Sequence, residues 1–144
     1  MHGGPLGALY RHWQDKAGES GLPGREMFNP FELKPWLGHL MLLQVLDGGQ
    51  DFFYRLFGVA VAELVGFDIT GSRLSDLPDE GRNLLMQEYR LAVQSRRHIF
   101  SAGVPLYGRN YIIIDRLTLP LAGADGGVGF LLVAIYPSRG ATDG

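Results

Sequence analysis

The chain has 144 residues, 46% of them hydrophobic and 19% charged, with a net charge of −2 and no cysteine. That length suits one domain with a core of its own, and the charge speaks against a nucleic-acid partner, which needs a basic face. The missing cysteines exclude disulfides, thiolate metal sites, cysteine nucleophiles and a cysteinyl–flavin adduct, and they suit a reducing compartment.

Residues 1–5 read as a frayed leader, and no continuous apolar run matches a signal peptide or a membrane helix, so a cytoplasmic protein is expected. Leu6, Leu9, Tyr10, Trp13 and Ala17 then form one stripe of an amphipathic helix, closed by Gly18 and the Gly21-Leu22-Pro23-Gly24 run. Between Met27 and Trp36 the prolines leave room for a helix of one or two turns begun by Pro30. His39 to Asp47 is almost continuously apolar, as an interior strand covered on both faces would be, although periodicity alone leaves a helix open. Asp47-Gly48-Gly49-Gln50 is a turn and Asp51 to Phe57 a returning strand, which together predict a hairpin.

The strand breaks at Gly58 into a short apolar helix that stops at Gly66. Gly71 follows, then a second short helical signal ending at Asp76-Leu77. Asp79 to Arg97 is the longest helical pattern. Leu85, Tyr89, Ala92 and Arg96 share one face, Leu84, Met86 and Val93 flank it, Asp79 is the expected N-cap, and Arg96 and Arg97 sit at the negative end. Arg82, Arg90, Arg96 and Arg97, alternating with Glu80 and Glu88, read as a solvated face.

Three strands complete the pattern: His98 to Tyr107, Tyr111 to Leu121 and Gly127 to Tyr136. Gly108-Arg109-Asn110 and Asp125-Gly126-Gly127 supply their turns. Pro105 cannot donate to a ladder, so its strand should lie at a sheet edge or carry a bulge. The tail after Pro137 reads as unstructured. Hairpins imply an antiparallel sheet, and the helices between the second and third strands must cross one of its faces, which makes the fold α+β.

This order of elements resembles a PAS domain, and is most similar to the small, often stand-alone PAS-like proteins found mostly in alphaproteobacteria. The resemblance spans about Arg25 to Pro137, with residues 1–24 as an N-terminal helix and linker and 138–144 as a disordered tail. Its most specific part is Tyr54-Arg55-Leu56-Phe57-Gly58, then Leu64-Val65-Gly66, then Ile69-Thr70-Gly71. Leu117-Thr118-Leu119-Pro120-Leu121 with Asp125-Gly126-Gly127 adds to it. The resemblance implies a five-stranded antiparallel sheet with crossing helices on one face, and a non-catalytic sensory or regulatory module. Its expected partners are a small molecule of unknown identity, a signalling protein, or both, with no nucleic acid and no membrane. The chain holds no kinase, cyclase, phosphodiesterase or DNA-binding segment, so output is expected to pass through a partner protein.

On that resemblance the ligand-pocket candidates are Tyr54 and Leu56 on the second strand, Leu64 and Phe67 on the crossing helices, Met86, Tyr89 and Val93 on the long helix, and Ile112 and Ile114 on the fourth strand. Plain core packing is the commoner role for an apolar residue at each of these positions. Arg55 is a candidate polar anchor for a carboxylate, set against a structural role pairing with an acid or stacking between Phe53 and Phe57. No cofactor is assigned. His39 and His98 are the two histidines near the expected interior that haem ligation would need, and no metal-ligand spacing is present.

The stripe of Leu6, Leu9, Tyr10 and Trp13 is expected to cap its own sheet or a partner copy's, the latter giving a homodimer. A ligand-free dimerisation or interaction scaffold is the alternative, and it predicts a filled core with an exposed apolar patch near Trp13 and Trp36. A cone-fold isomerase or dehydratase is weaker still, and needs His98 and Asp115 within hydrogen-bond reach.

Overall fold

The computed structural model describes residues 3–106 and 109–138. Helix α1 spans Gly4–Ala17, and Pro5 lies in its first turn, where a missing N–H is tolerated. The helix thus starts earlier than its apolar stripe implies: Gly4 and Pro5 belong to it rather than to a leader, while residues 1 and 2 lie outside the described residues. Helix α2 (Pro30–Leu33) does begin on Pro30, capped by Asn29, whose Oδ1 accepts the Phe31 N–H at 2.7 Å. A 3₁₀ turn at Leu37–His39 leads into β1 (Leu40–Leu46), and β2 (Asp51–Phe57) returns beside it.

Helix α3 (Val59–Val65) ends on Gly66, whose φ of 100° is open to glycine at little cost. A 3₁₀ turn at Leu74–Asp76 and helix α4 (Asp79–Ser95) follow. Asp79 is the first helical residue and Pro78 occupies the cap position, so the expected aspartate cap is not made. The helix stops at Ser95 because Arg96 turns left-handed (φ 58°) and donates its N–H to Ala92 O, so Arg96 caps the helix instead of extending its buried face.

Strands β3 (Ile99–Leu106), β4 (Arg109–Ala122) and β5 (Val128–Pro137) complete a five-stranded antiparallel sheet in the order β2-β1-β5-β4-β3. The α+β architecture read from the sequence is therefore the one observed. β3 is an edge strand, and its register shifts on either side of the Val104–Pro105 pairs, the two accommodations a strand proline requires. β4 starts at Arg109, which pairs with Leu106. The rest of that expected turn, residues 107 and 108, and the expected unstructured tail, 139–144, lie outside the described residues.

Both faces of the sheet are covered, so two apolar layers form. On the inner face α3, the 3₁₀ turn at Leu74–Asp76 and α4 bury Val61, Leu74, Leu85, Tyr89 and Ala92 against Met41, Leu43, Phe52 and Ile135. On the outer face α1, α2 and the segment after it bury Leu6, Leu9, Trp13, Leu33 and Trp36 against Leu42, Leu117, Leu119 and Leu132. Strand β1 supplies Met41 and Leu43 inward and Leu40 and Leu42 outward, which is why it reads as one apolar run. Leu6, Leu9, Trp13 and Leu22 of the N-terminal segment are packed into the outer layer, and Gly24 bridges to Ala122 of β4.

The free edge of β2 is covered as well. Tyr54 N–H donates to Ser72 O at 3.0 Å and Gly71 N–H donates to Tyr54 O at 2.8 Å, so the chain after α3 pairs with a strand edge that would otherwise be open. This is what the glycine-punctuated segment accomplishes: Gly58 lets the chain leave β2 under the backbone of Gly38. A Cβ added at Gly58 would meet Gly38 O and C, which are main-chain atoms that cannot swing aside. Gly58→Ala is accordingly expected to cost about 1–3 kcal/mol, the range for overpacking a filled site, measured by urea titration. An unchanged midpoint would refute the close approach.

Candidate functional site

Strand β2 decides which side chains face which layer. Its register against β1 shifts between Leu42 and Leu43: Leu43 pairs with Tyr54 and Leu42 with Leu56, so Arg55 is the extra residue of a β-bulge. Strict alternation would put Leu56 with Tyr54 on one face and Phe57 with Arg55 on the other. The bulge reverses the end of the strand. Phe57 packs inward, 6.0 Å from the Tyr54 ring, and Leu56 turns outward at 59% exposure. Leu56 is thereby removed from the inner pocket. Arg55 is exposed, donates from Nε to Gln44 Oε1 at 2.8 Å and lies over the Phe53 ring, with neither an acid nor Phe57 as its partner among the described residues.

The inner face holds a cavity of about 40 Å³ between the sheet, α3 and α4. Tyr54, Phe67, Tyr89 and Ile114 of the expected set line it. Leu64, Met86, Val93 and Ile112 pack around the same core without reaching the cavity. Such a space admits about three waters, since about 10–15 Å³ of probe volume holds one. A ligand of ordinary size would have to displace side chains to enter.

The polar group that sequence reading missed also lines this cavity. Arg116 of β4 points inward among apolar residues and donates from Nε to Glu88 Oε2 at 2.5 Å. The side chains of Arg116 and Glu88 are only 10% and 14% exposed. Ser101 Oγ donates to the other Glu88 oxygen, so the carboxylate is held by α4's two strand neighbours. Glu88 is thus half of a buried ion pair and not part of a solvated face.

Burial works against the charge on Arg116, but the hydrogen bond to Glu88, with the Tyr89 hydroxyl, the Glu88 charge and the Tyr54 hydroxyl beside it, outweighs burial and raises its pKa. Tyr89, wholly buried beside it and hydrogen-bonded to Tyr54, is pushed up to about 12 chiefly by desolvation. A charged residue at an inward position of β4, with Ile114 two residues earlier, was the available signal. Glu88 carried none, because its helix face is identified only once α4 docks.

The two haem candidates are engaged elsewhere. His39 stacks on Tyr136 with ring centroids 4.0 Å apart, and His98 lies 4.3 Å from Tyr10 and 6.3 Å from Trp13; neither lines the inner cavity. Burial lowers the pKa of both, with Arg97 adding to the effect at His98. A histidine with a depressed folded pKa stabilises the fold above its unfolded value, near 6.5, and that stability is lost as pH falls below it. The melting temperature is expected to fall between pH 7 and 5, with a shallower slope in His98→Gln. Parallel profiles would contradict the assignment. His98 and Asp115 are not assembled as a pair: Ile99, next to His98, faces Thr118, three residues along β4 from Asp115, or about 10 Å. Asp115 instead accepts the Gly103 N–H at 2.9 Å.

The outer face carries the larger opening. A groove of about 620 Å³ runs between the α2 segment and the sheet, floored by Leu40, Leu42, Leu121 and Leu132 and ending at Leu56, Gly58 and Val59. Leu37, Leu56 and Val59 on its walls are 47%, 59% and 73% exposed, and Phe31, next to the lining residue Pro30, is 86% exposed. Trp13 and Trp36, near which the ligand-free scaffold alternative predicts an exposed patch, are buried at 6% and 9%, each donating its indole N–H to a carbonyl, of Pro120 and Pro5. α1 therefore caps its own sheet.

A PAS domain family model matches residues 1–132 of the chain. No curated protein matches it. Solved structures with the same fold include the PAS domain of histidine kinase ThkA (15% identity, covering 67% of this chain and 97% of that one, TM-score 0.50). A sensory box sensor histidine kinase from Vibrio cholerae is similar at 16% identity over 76% of this chain and 86% of that one, with TM-score 0.53. A light-oxygen-voltage domain studied with a flavin analogue is similar at 12% identity over 78% and 87%, with TM-score 0.55. No helix among the described residues is long and apolar enough to cross a membrane. With the family model spanning most of the sequence, the chain belongs to the PAS domain family, whose members are sensory modules in signalling.

Proposed function

We propose that this protein is a non-catalytic sensory or regulatory module of the cytoplasm that binds a small molecule and passes the signal to a partner protein. The observation that carries the reading is the outer groove. Its volume of about 620 Å³ lies within the roughly 300–1,000 Å³ typical of small-molecule sites. Its walls are apolar, as such sites usually are, while the inner cavity has room only for water. The absence of cysteine fits a reducing compartment.

Native mass spectrometry of freshly purified protein, with an absorption spectrum, tests the reading. The expected result is a bound organic molecule that dissociates on gentle activation. A bare mass, together with no thermal stabilisation by any member of an apolar small-molecule panel, would overturn it.

A second reading, a dimerisation or interaction scaffold free of ligand, draws on one specific feature: the exposed Val59 on the wall of that groove and the exposed Phe31 of α2, next to the lining residue Pro30. It predicts a dimer mass in the same spectrum that Phe31→Asp abolishes.

A further inference from the structure

We infer that the outer groove takes an amphiphile with a single carboxylate head, seated on Arg25, and an apolar tail running toward β2; this deepens the proposed ligand-binding function and rests on it. Arg25 is the one charged residue among those lining the groove. It follows Gly24, which bridges to Ala122, so it stands at the β4/β5 end of the opening, its guanidinium 4.9 Å from the centre of the Phe130 ring.

The Lys16 ammonium of α1 already has an anionic partner. Lys16 and His12 share Glu32 at 2.9 and 3.1 Å. Arg25 has no ion pair among the described residues, and Glu26 folds back over Gly24. An unpaired guanidinium at one end of an apolar trough complements one anionic head, which it can hold bidentately.

Beyond Arg25 nothing in the trough offers a second charge. The floor passes from Leu121 and Leu132 through Leu42 to Leu56, across four adjacent strands, a span of about 14 Å at the usual strand spacing. A tail of that length desolvates completely only if it is apolar, and a second charged group on it would be buried without a partner. The chemistry therefore selects a medium-length monocarboxylate over a dianion, a cation or a polar metabolite. The site lies on the sheet face opposite the cavity that Tyr54, Tyr89 and Arg116 enclose.

The test uses the whole protein and three probes of equal tail length, decanoate, decan-1-ol and decyltrimethylammonium, followed by titration calorimetry. Decanoate is expected to bind one to one, with about tenfold weaker affinity in Arg25→Gln, affinity retained in Arg25→Lys, and decan-1-ol indifferent to both changes. Leu56→Asn, at a half-exposed wall position, is expected to weaken decanoate and decan-1-ol alike. Equal binding of decanoate and decan-1-ol, both weakened by Leu56→Asn, would overturn the carboxylate assignment and leave the groove as the ligand site. Binding of decanoate unaffected by both Arg25→Gln and Leu56→Asn would overturn this inference. Failure of all three probes to bind would also overturn it, and only the mass spectrum of the native protein then bears on the broader reading.

Discussion

Glu88→Ala is expected to destabilise the protein by about 3–5 kcal/mol, the cost of leaving one member of a buried ion pair without its partner. The guanidinium of Arg116 sits in an apolar cavity with the Glu88 oxygen 2.5 Å away. Removing the carboxylate strands a charge that cannot be neutralised by losing its proton, because arginine does not deprotonate in proteins. Ser101 loses its acceptor at the same time.

The informative comparison is the double variant Glu88→Leu/Arg116→Met, which removes both charges and fills the space with apolar groups. It is expected to recover most of the loss, because a buried pair is often close to neutral against apolar residues of similar size. Urea titration of the single and double variants checks both statements. A Glu88→Ala loss below about 1 kcal/mol would place the pair in solvent. The same pair ties α4 to β3 and β4, so the single variant should also loosen α4, read as faster amide exchange at Leu85 and Tyr89.

Trp13→Ala is expected to cost about 3–5 kcal/mol, the range for truncating a buried aromatic. Trp13 is 6% exposed, lies between α1 and the outer sheet face, and donates its indole N–H to Pro120 O at 3.0 Å. Its loss opens a void and leaves that carbonyl unpaired. The distinctive consequence is local: α1 should lose protection from exchange before the sheet does, since Leu6 and Leu9 alone do not replace what Trp13 anchors. A mutant that unfolds in one step, with α1 and the sheet exchanging together, would mean α1 is part of the cooperative core. Exposed outer-face leucines in the variant, Leu117 and Leu119 among them, should bind a hydrophobic dye.

These two substitutions bracket what could be read from the residues alone. Trp13 was visible from its helical spacing with Leu6, Leu9 and Tyr10, because a period near 3.6 needs no tertiary information. The edge position of the Pro105 strand followed from one missing N–H. The interior position of β1 followed from its unbroken apolar run. Glu88, by contrast, stood among arginines on a helix that looked solvated, and nothing local marks which of its faces a strand will cover.

The β2 bulge explains the second gap. Arg55 is one residue too many for the ladder with β1, and a single inserted residue exchanges the faces of everything after it. From alternation alone Leu56 belongs with Tyr54. The paired strand puts it in the outer groove, and Phe57 takes the inner position.

Local periodicity, prolines and glycines thus determined the element order, the antiparallel sheet, the edge and interior strands and the PAS resemblance, because each of these depends on residues close together in the chain. Where the openings lie was decided only by the tertiary structure. The inner cavity is small because Tyr54, Tyr89 and the Arg116–Glu88 pair converge from three elements, and the outer groove is open because the short α2 covers only part of the sheet that α1 leaves bare. Volume is a difference between surfaces brought together from distant parts of the sequence, and no short window of residues contains it.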